Sequence, residues 1–298
     1  MSDAQRSVEV VRVRGGTRAA DVDRAAAEEP LEIRLHDRPF AVIMRTPGAD
    51  RELAAGFLLA ERVIRAADEL GTIAHCTDRA EGPAKAGHYV REAEGPAKAG
   101  HDVREGGTRQ NVVNVTLANG SRERVERMLA ERRQVTTSSS CGLCGRQTIE
   151  SLATDVAPVR STWTVSASLI STLPERLRAR QAVFDDTGGL HAAGLFARDG
   201  ALVDVAEDVG RHNAVDKIVG RMLMRDALPL ADHLLFVSGR TSFEIVQKAI
   251  VAGIPLVAAV SAPSTLAIDL AREFGVTLAG FVRGDGFNIY AHPERIAS

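Results

Sequence analysis

The stretch His233–Gly286, HLLFVSGRTSFEIVQKAIVAGIPLVAAVSAPSTLAIDLAREFGVTLAGFVRGDG, decides the fold class. Apolar runs at 234–237, 255–260 and 277–282 are short enough for strands and continuous enough to be buried on both faces. Between them, 243–252 and 265–274 carry apolar residues at helical spacing. Strand and helix therefore alternate, which predicts βαβ units, a parallel sheet and right-handed crossovers. The connections SGRTS, SAPST and RGDG then emerge at the carboxyl edge of the sheet, where open α/β sheets bind ligands.

Working outward, the segment TGGLHAAGLF leads into a further strand, and SASLISTLPERLRARQAVF reads as a helix interrupted at Pro174. The adjacent Asp185 and Asp186 point in different directions in a helix or a strand, so they do not form an acid/base pair. EDVGRHNAVDKIVGRML places Arg211 and His212 just before an amphipathic helix. Either these two meet an anion or the charged loop pairs internally. Ser238, Arg240, Thr241 and Ser242 sit where a strand joins a helix, a position from which backbone N–H groups donate to phosphate oxygens. SGRTS is neither a Walker loop nor a dinucleotide fingerprint, so an ordinary ATPase or dehydrogenase is not indicated.

Towards the N-terminus, LEIRLHDRPFAVIMRTPG predicts a hairpin around residues 36–39. ADRELAAGFLLAERVI predicts a helix, and GTIAHC and NVVNVTL two short strands. Residues 1–30 read as a flexible arm with one strand at 8–13. A direct repeat, EGPAKAGH at 81 and again at 94, lies inside an insertion at 79–107 and has no apolar periodicity. It is read as a duplicated hairpin tip without chemistry, because loop length costs little. Three parts follow: the arm 1–30, an α+β subdomain 31–135 and an α/β domain 136–298.

The 298 residues carry 37 Lys+Arg against 39 Asp+Glu, so no global field draws the chain to nucleic acid or to anionic lipid. Three cysteines make a sparse and odd set, which argues against a disulfide framework and for a reducing, cytoplasmic setting. No apolar run reaches the roughly 18 residues of a membrane span.

Two of the cysteines, Cys141 and Cys144 in TTSSSCGLCGRQTIESL, form a C-x-x-C pair beside an expected helix start at about Gly145. A helix N-terminus and Arg146 both favour the thiolate, which is the reactive form. The spacing alone leaves a metal clamp, a redox couple and a sulfur carrier in competition. A structural zinc site lacks its other ligands, since the remaining cysteine, Cys76, is isolated. A thioredoxin-like couple lacks the preceding apolar strand. A zinc deaminase lacks its general acid/base: Ala193 stands where HAAGLF would need Glu, and Ser140 replaces the expected Pro.

The blocks SSSCGLCG, TGGLHAAGLF, EDVGRHNAVDKIVGR, SGRTSFEIVQKAIVAGIP, VSAPSTLAIDLA and GFVRGDGFNIYAHPERI together closely resemble the formate dehydrogenase accessory protein family, FdhD, from about Leu31 to the C-terminus. The resemblance implies a cytidine deaminase-like core with a smaller N-terminal α+β subdomain. It also implies sulfur transfer from a cysteine desulfurase to the molybdenum cofactor, bis-molybdopterin guanine dinucleotide, before that cofactor enters formate dehydrogenase. In that family's pattern Cys141 is the persulfide-bearing residue and Cys144 its helper. Phe281, Val282, Arg283, Gly284, Asp285 and Gly286 become the cofactor-binding stretch, although FVRGDG departs from the Lys-Pro-Gly-Arg type of sequence found in some relatives. Arg211, His212 and Arg240 become partners of the cofactor's phosphates. A homodimer without a permanent metal is implied as well. The alternative function is a chaperone that holds the finished cofactor without moving sulfur.

Overall fold

The computed structural model describes residues 4–76, 111–118, 126 and 156–297. The insertion at 79–107, both copies of the repeat, Cys141, Cys144 and the helix start at Gly145 lie outside them.

The molecule is mixed α/β. Its largest sheet has six strands in the order β13-β12-β11-β10-β8-β9. The expected βαβαβ run forms its centre: β10 His233–Val237, α5 Phe243–Ala252, β11 Leu256–Ala259, α6 Thr265–Glu273 and β12 Thr277–Arg283. β10, β11 and β12 pair in parallel. The flanking strands β8 His191–Ala197, β9 Leu202–Asp208 and β13 Gly286–Ala291 run antiparallel to their neighbours.

Both faces of this sheet are covered, which is why its central strands read as unbroken apolar runs. Leu235, Val237, Val257 and Leu278 face a large core shared with α1 Asp50–Ala60, α4 Arg211–Met224, α5 and α6. Leu234, Phe236, Leu256, Ala279 and Val282 face a smaller core against Ile170, Leu173 and Leu177 of α2 Ala167–Arg178. Ser166 caps α2 by accepting from the N–H of Leu169, 3.2 Å away. Pro174 lies inside α2 without ending it. A short helix α3, Ala182–Thr187, follows.

A second sheet of four strands, in the order β4-β3-β6-β5, is built from β3 Glu29–Leu35, β4 Arg38–Arg45, β5 Leu70–His75 and β6 Val112–Leu117. The hairpin turn at His36 and Asp37 has positive φ at both residues, as a two-residue turn between twisted strands requires. Leu31, Ile33, Leu35, Val113 and Val115 of this sheet join the large core. The core therefore runs across the expected boundary at 135/136. A small parallel pair, β7 Val165–Ser166 with β14 Ile296–Ala297, ties the C-terminus to the start of α2.

The arm is the clear correction. Residues 5–26 are a ten-rung antiparallel hairpin of β1 Gln5–Arg14 and β2 Thr17–Ala26, where a flexible arm with one strand was expected. Gly15 and Gly16, both at positive φ, supply the turn between two alternating segments. Asp186 of α3 holds the hairpin through Gln5 and Arg24, each at 2.9 Å, while Asp185 turns to Arg178 at 2.5 Å. The two carboxylates diverge as their adjacency predicts.

Candidate functional site

The three connections expected at the carboxyl edge do meet there. The N–H of Thr241 donates to Ala262 O at 3.1 Å, that of Ser264 to Thr241 O at 3.0 Å, and that of Phe281 to Ser261 O at 3.2 Å. RGDG differs from the other two, being the turn of the antiparallel hairpin from β12 to β13. Antiparallel pairing brings two more strand ends to the same edge: His191, which opens β8, stands opposite Asp208, which closes β9.

Asp208 is fully buried and organises one side of the site. Its carboxylate lies 2.7 Å from Lys217 Nζ and accepts from the N–H groups of Gly210 at 2.8 Å and Thr46 at 3.1 Å, and from Asn213 Nδ2 at 2.8 Å. Lys217 Nζ also donates to Thr46 O at 2.9 Å. Such a buried pair holds only when its remaining valences are met, and here they are. The charged loop thus pairs internally through Asp208 and Lys217 and delivers Arg211 and His212 at the start of α4. Arg211 Nε is buried with no protein partner among the described residues, as is Thr241 Oγ1 across the edge. Unpaired buried polar atoms are costly, so a bound water or a guest that reaches them would stabilise this edge.

His191 is half-buried, and burial pushes its imidazole below the ordinary histidine value. The charges of Arg211 and Arg240 push it the same way, as does His212 when it carries a proton, with Asp208 opposing them. Its ring therefore reports a cationic cluster. The ring also packs close to the Gly239 backbone, where an added Cβ would stand 3.2 Å from Nδ1.

Beside this edge a cavity of about 1030 Å³ runs between the sheet and α2–α3, with His191, Phe236, Ser238 and Val260 on one wall and Arg178 and Phe184 on the other. The Arg178 guanidinium stacks on the Phe184 ring at 4.6 Å. Glu207 fixes α3 by accepting from the N–H groups of Val183 at 3.0 Å and Phe184 at 2.8 Å. The cavity is of a size for a nucleotide-like molecule.

Of the residues singled out from sequence, Arg211, His212 and Arg240 converge around His191. Arg283 reaches back to Val260 O of the cavity wall at 3.3 Å. Phe281 is 41% exposed at φ 56°, a left-handed conformation that is unusual for an aromatic residue and belongs to a register break in the hairpin. Gly284, Asp285 and Gly286 are exposed at the turn. Val282 has its side chain in the smaller core, so only its backbone can meet a ligand. Cys141 and Cys144 are not among the described residues. Sequence reading left His191 in a turn leading to a strand. Its place in the site depends on β8 running against β10, which local pattern does not encode.

Exposed Arg240 and Arg283, the orphaned Arg211 donor and the first turns of α4, α5 and α6 together suit an anionic guest. Among the described residues no three His, Cys, Asp or Glu side chains gather as metal ligands, and no helix is long and apolar enough to cross a membrane.

The sulfur carrier protein FdhD of Streptomyces avermitilis is 49% identical over 295 residues, covering 97% of this chain and 94% of its own length. The protein of the same name from Mycobacterium tuberculosis is 45% identical over 273 residues, 91% of each chain. Among solved structures, a Desulfotalea psychrophila chain described as a formate dehydrogenase accessory protein superposes with a TM-score of 0.71, at 24% identity, over 99% of this chain and 100% of its own. That likeness speaks for a shared fold. The sequence model of the FdhD/NarQ family matches residues 26–297, from the end of the hairpin through the last strand, and the chain belongs to that family.

Proposed function

We propose that the protein is a sulfur carrier serving formate dehydrogenase: it accepts persulfide sulfur from a cysteine desulfurase and passes it to the molybdenum cofactor, bis-molybdopterin guanine dinucleotide, before insertion. The observation that carries this reading is 49% identity, over nearly the whole chain, to a protein named as a sulfur carrier. The cationic edge supports the choice of cargo. With a near-neutral net charge, the chain must meet a pyrophosphate through local groups, and Arg211, Arg240 and Arg283 are those groups.

In the proposed chemistry the Cys141 thiolate attacks the outer sulfur of the desulfurase persulfide, and the donor cysteine leaves as a thiolate. Attack by Cys144 on the inner sulfur of the Cys141 persulfide then releases sulfide to the cargo and leaves a Cys141–Cys144 disulfide, so the two electrons come from the thiols. Incubation with desulfurase and cysteine should add one sulfur to the Cys141 peptide, read by mass spectrometry. Cys141→Ala should abolish formate dehydrogenase activation, whereas Cys144→Ser should retain the added sulfur. Full activation by Cys141→Ala would leave only the chaperone reading, in which the cofactor is held without sulfur transfer.

The same proposal includes a cytoplasmic homodimer, tested by sedimentation, and a deaminase-like core. The layered sheet with its ligand edge supports the latter, and superposition on a cytidine deaminase tests it.

A further inference from the structure

Ser242 is the N-cap of α5, yet its side chain makes no capping bond to the helix. A serine at this position ordinarily accepts from the N–H groups of the first turn. Here Ser242 Oγ lies 2.9 Å from His212 Nε2, and the opposite ring nitrogen, Nδ1, lies 3.0 Å from Glu244 Oε2. Glu244 is buried and Ser242 is partly exposed. The Nδ1–Glu244 contact is an ion-pair distance rather than an aligned hydrogen bond, and in the tautomer with its proton on Nδ1 the Nε2 lone pair faces the serine hydroxyl. These are the distances of a serine–histidine–carboxylate triad, which is recognised by geometry rather than by order in the chain. The serine also stands on a strand–turn–helix connection, with the N–H groups of Phe243 and Glu244 in the first turn of α5 beside it.

We propose that Ser242, His212 and Glu244 form a nucleophilic triad that cleaves an acyl ester carrying negative charge. The attacking group is Ser242 Oγ. As it bonds to the carbonyl carbon, its proton passes to His212 Nε2, and the first-turn N–H groups of α5 receive the negative oxygen. The ester C–O bond then breaks and the alcohol leaves with the proton held by His212. Water attacks acyl-Ser242, giving its proton to the same nitrogen, and a carboxylic acid is released while the serine recovers its hydrogen. No oxidant, reductant or metal enters the balance. The preference for an anionic acyl group follows from Arg211 and Arg240, whose charges converge on His191. This activity does not use Cys141, and the cargo proposed above would compete with the ester for Arg211 and Arg240.

The test uses the full chain and a fluorophosphonate probe, with the adduct located by peptide mass spectrometry. The expected result is one adduct, on Ser242, absent after heat denaturation. His212→Gln should slow labelling about 100-fold or more, and Glu244→Gln at least about tenfold, with thermal melting recorded for each variant. p-Nitrophenyl succinate should be cleaved faster than p-nitrophenyl acetate, and Arg240→Ala should narrow that difference. Absence of an adduct on Ser242 in the native chain, or equal labelling by a folded His212→Gln variant, overturns the proposal. If a variant does not fold, the native-against-denatured comparison on the unaltered chain decides alone.

Discussion

Asp208 and His191 face each other across one rung of the sheet, and they separate what holds the site from what the site does. Asp208 with Lys217 is a fully desolvated pair, so removing one charge leaves the other buried. Asp208→Asn should lower the unfolding free energy by about 3–5 kcal/mol, measured by urea denaturation. His191 is instead a reporter. Its folded pKa lies below the roughly 6.5 of an unfolded histidine, because burial and the neighbouring charges, led by Arg211, oppose its protonation. Just below that unfolded value the unfolded chain binds the more protons. The stability His191 contributes is therefore complete above it and is lost as pH falls through the folded value. Arg211→Gln, or added inorganic pyrophosphate, should move the His191 midpoint upward in an NMR titration. An unmoved midpoint in both would place the cations away from the ring.

Helices α1 and α4 cross at unusually close range, and this contact ties the N-terminal sheet to the site. A Cβ on Gly220 would collide with Glu52 O, and one on Gly56 with Asp216 O. The obstacles are backbone atoms, which cannot swing aside. Gly220→Ala should therefore destabilise by about 2–3 kcal/mol, despite the better helix propensity of alanine, as read by denaturant titration. Asp216, at this crossing, is fully buried and holds Lys248 of α5 at 2.7 Å. Desolvation pushes its carboxyl upward against the attraction of that lysine. One helix thus positions Arg211 at its first residue and braces α5, which bears Ser242, from its middle.

In the whole molecule, the large core joins described residues from Leu31 to Ala291, on both sides of 135/136. The connection holding the duplicated segment leaves β5 and re-enters at β6, which are antiparallel neighbours, and the N–H of Cys76 donates to Val112 O at 2.9 Å. Its two ends are held together whatever lies between them. Deleting 81–105 should change stability by no more than about 1 kcal/mol and leave the proposed formate dehydrogenase activation intact, since closure entropy depends weakly on loop length. The sequence by itself determined the βαβαβ centre, the hairpin around 36–39, the three connections that meet at one edge of the sheet and the charged residues after β9 and β10. Burial on both faces, turn chemistry and helical spacing are local signals that survive folding unchanged. Only the tertiary structure decided that the N-terminal segment is a hairpin held by Asp186, that Val282 turns into the core, that His191 joins Arg211, and that Ser242 faces His212 and Glu244. Each of these depends on pairing or packing between residues far apart in the chain, where the energy of a contact resides in the partner and not in the segment.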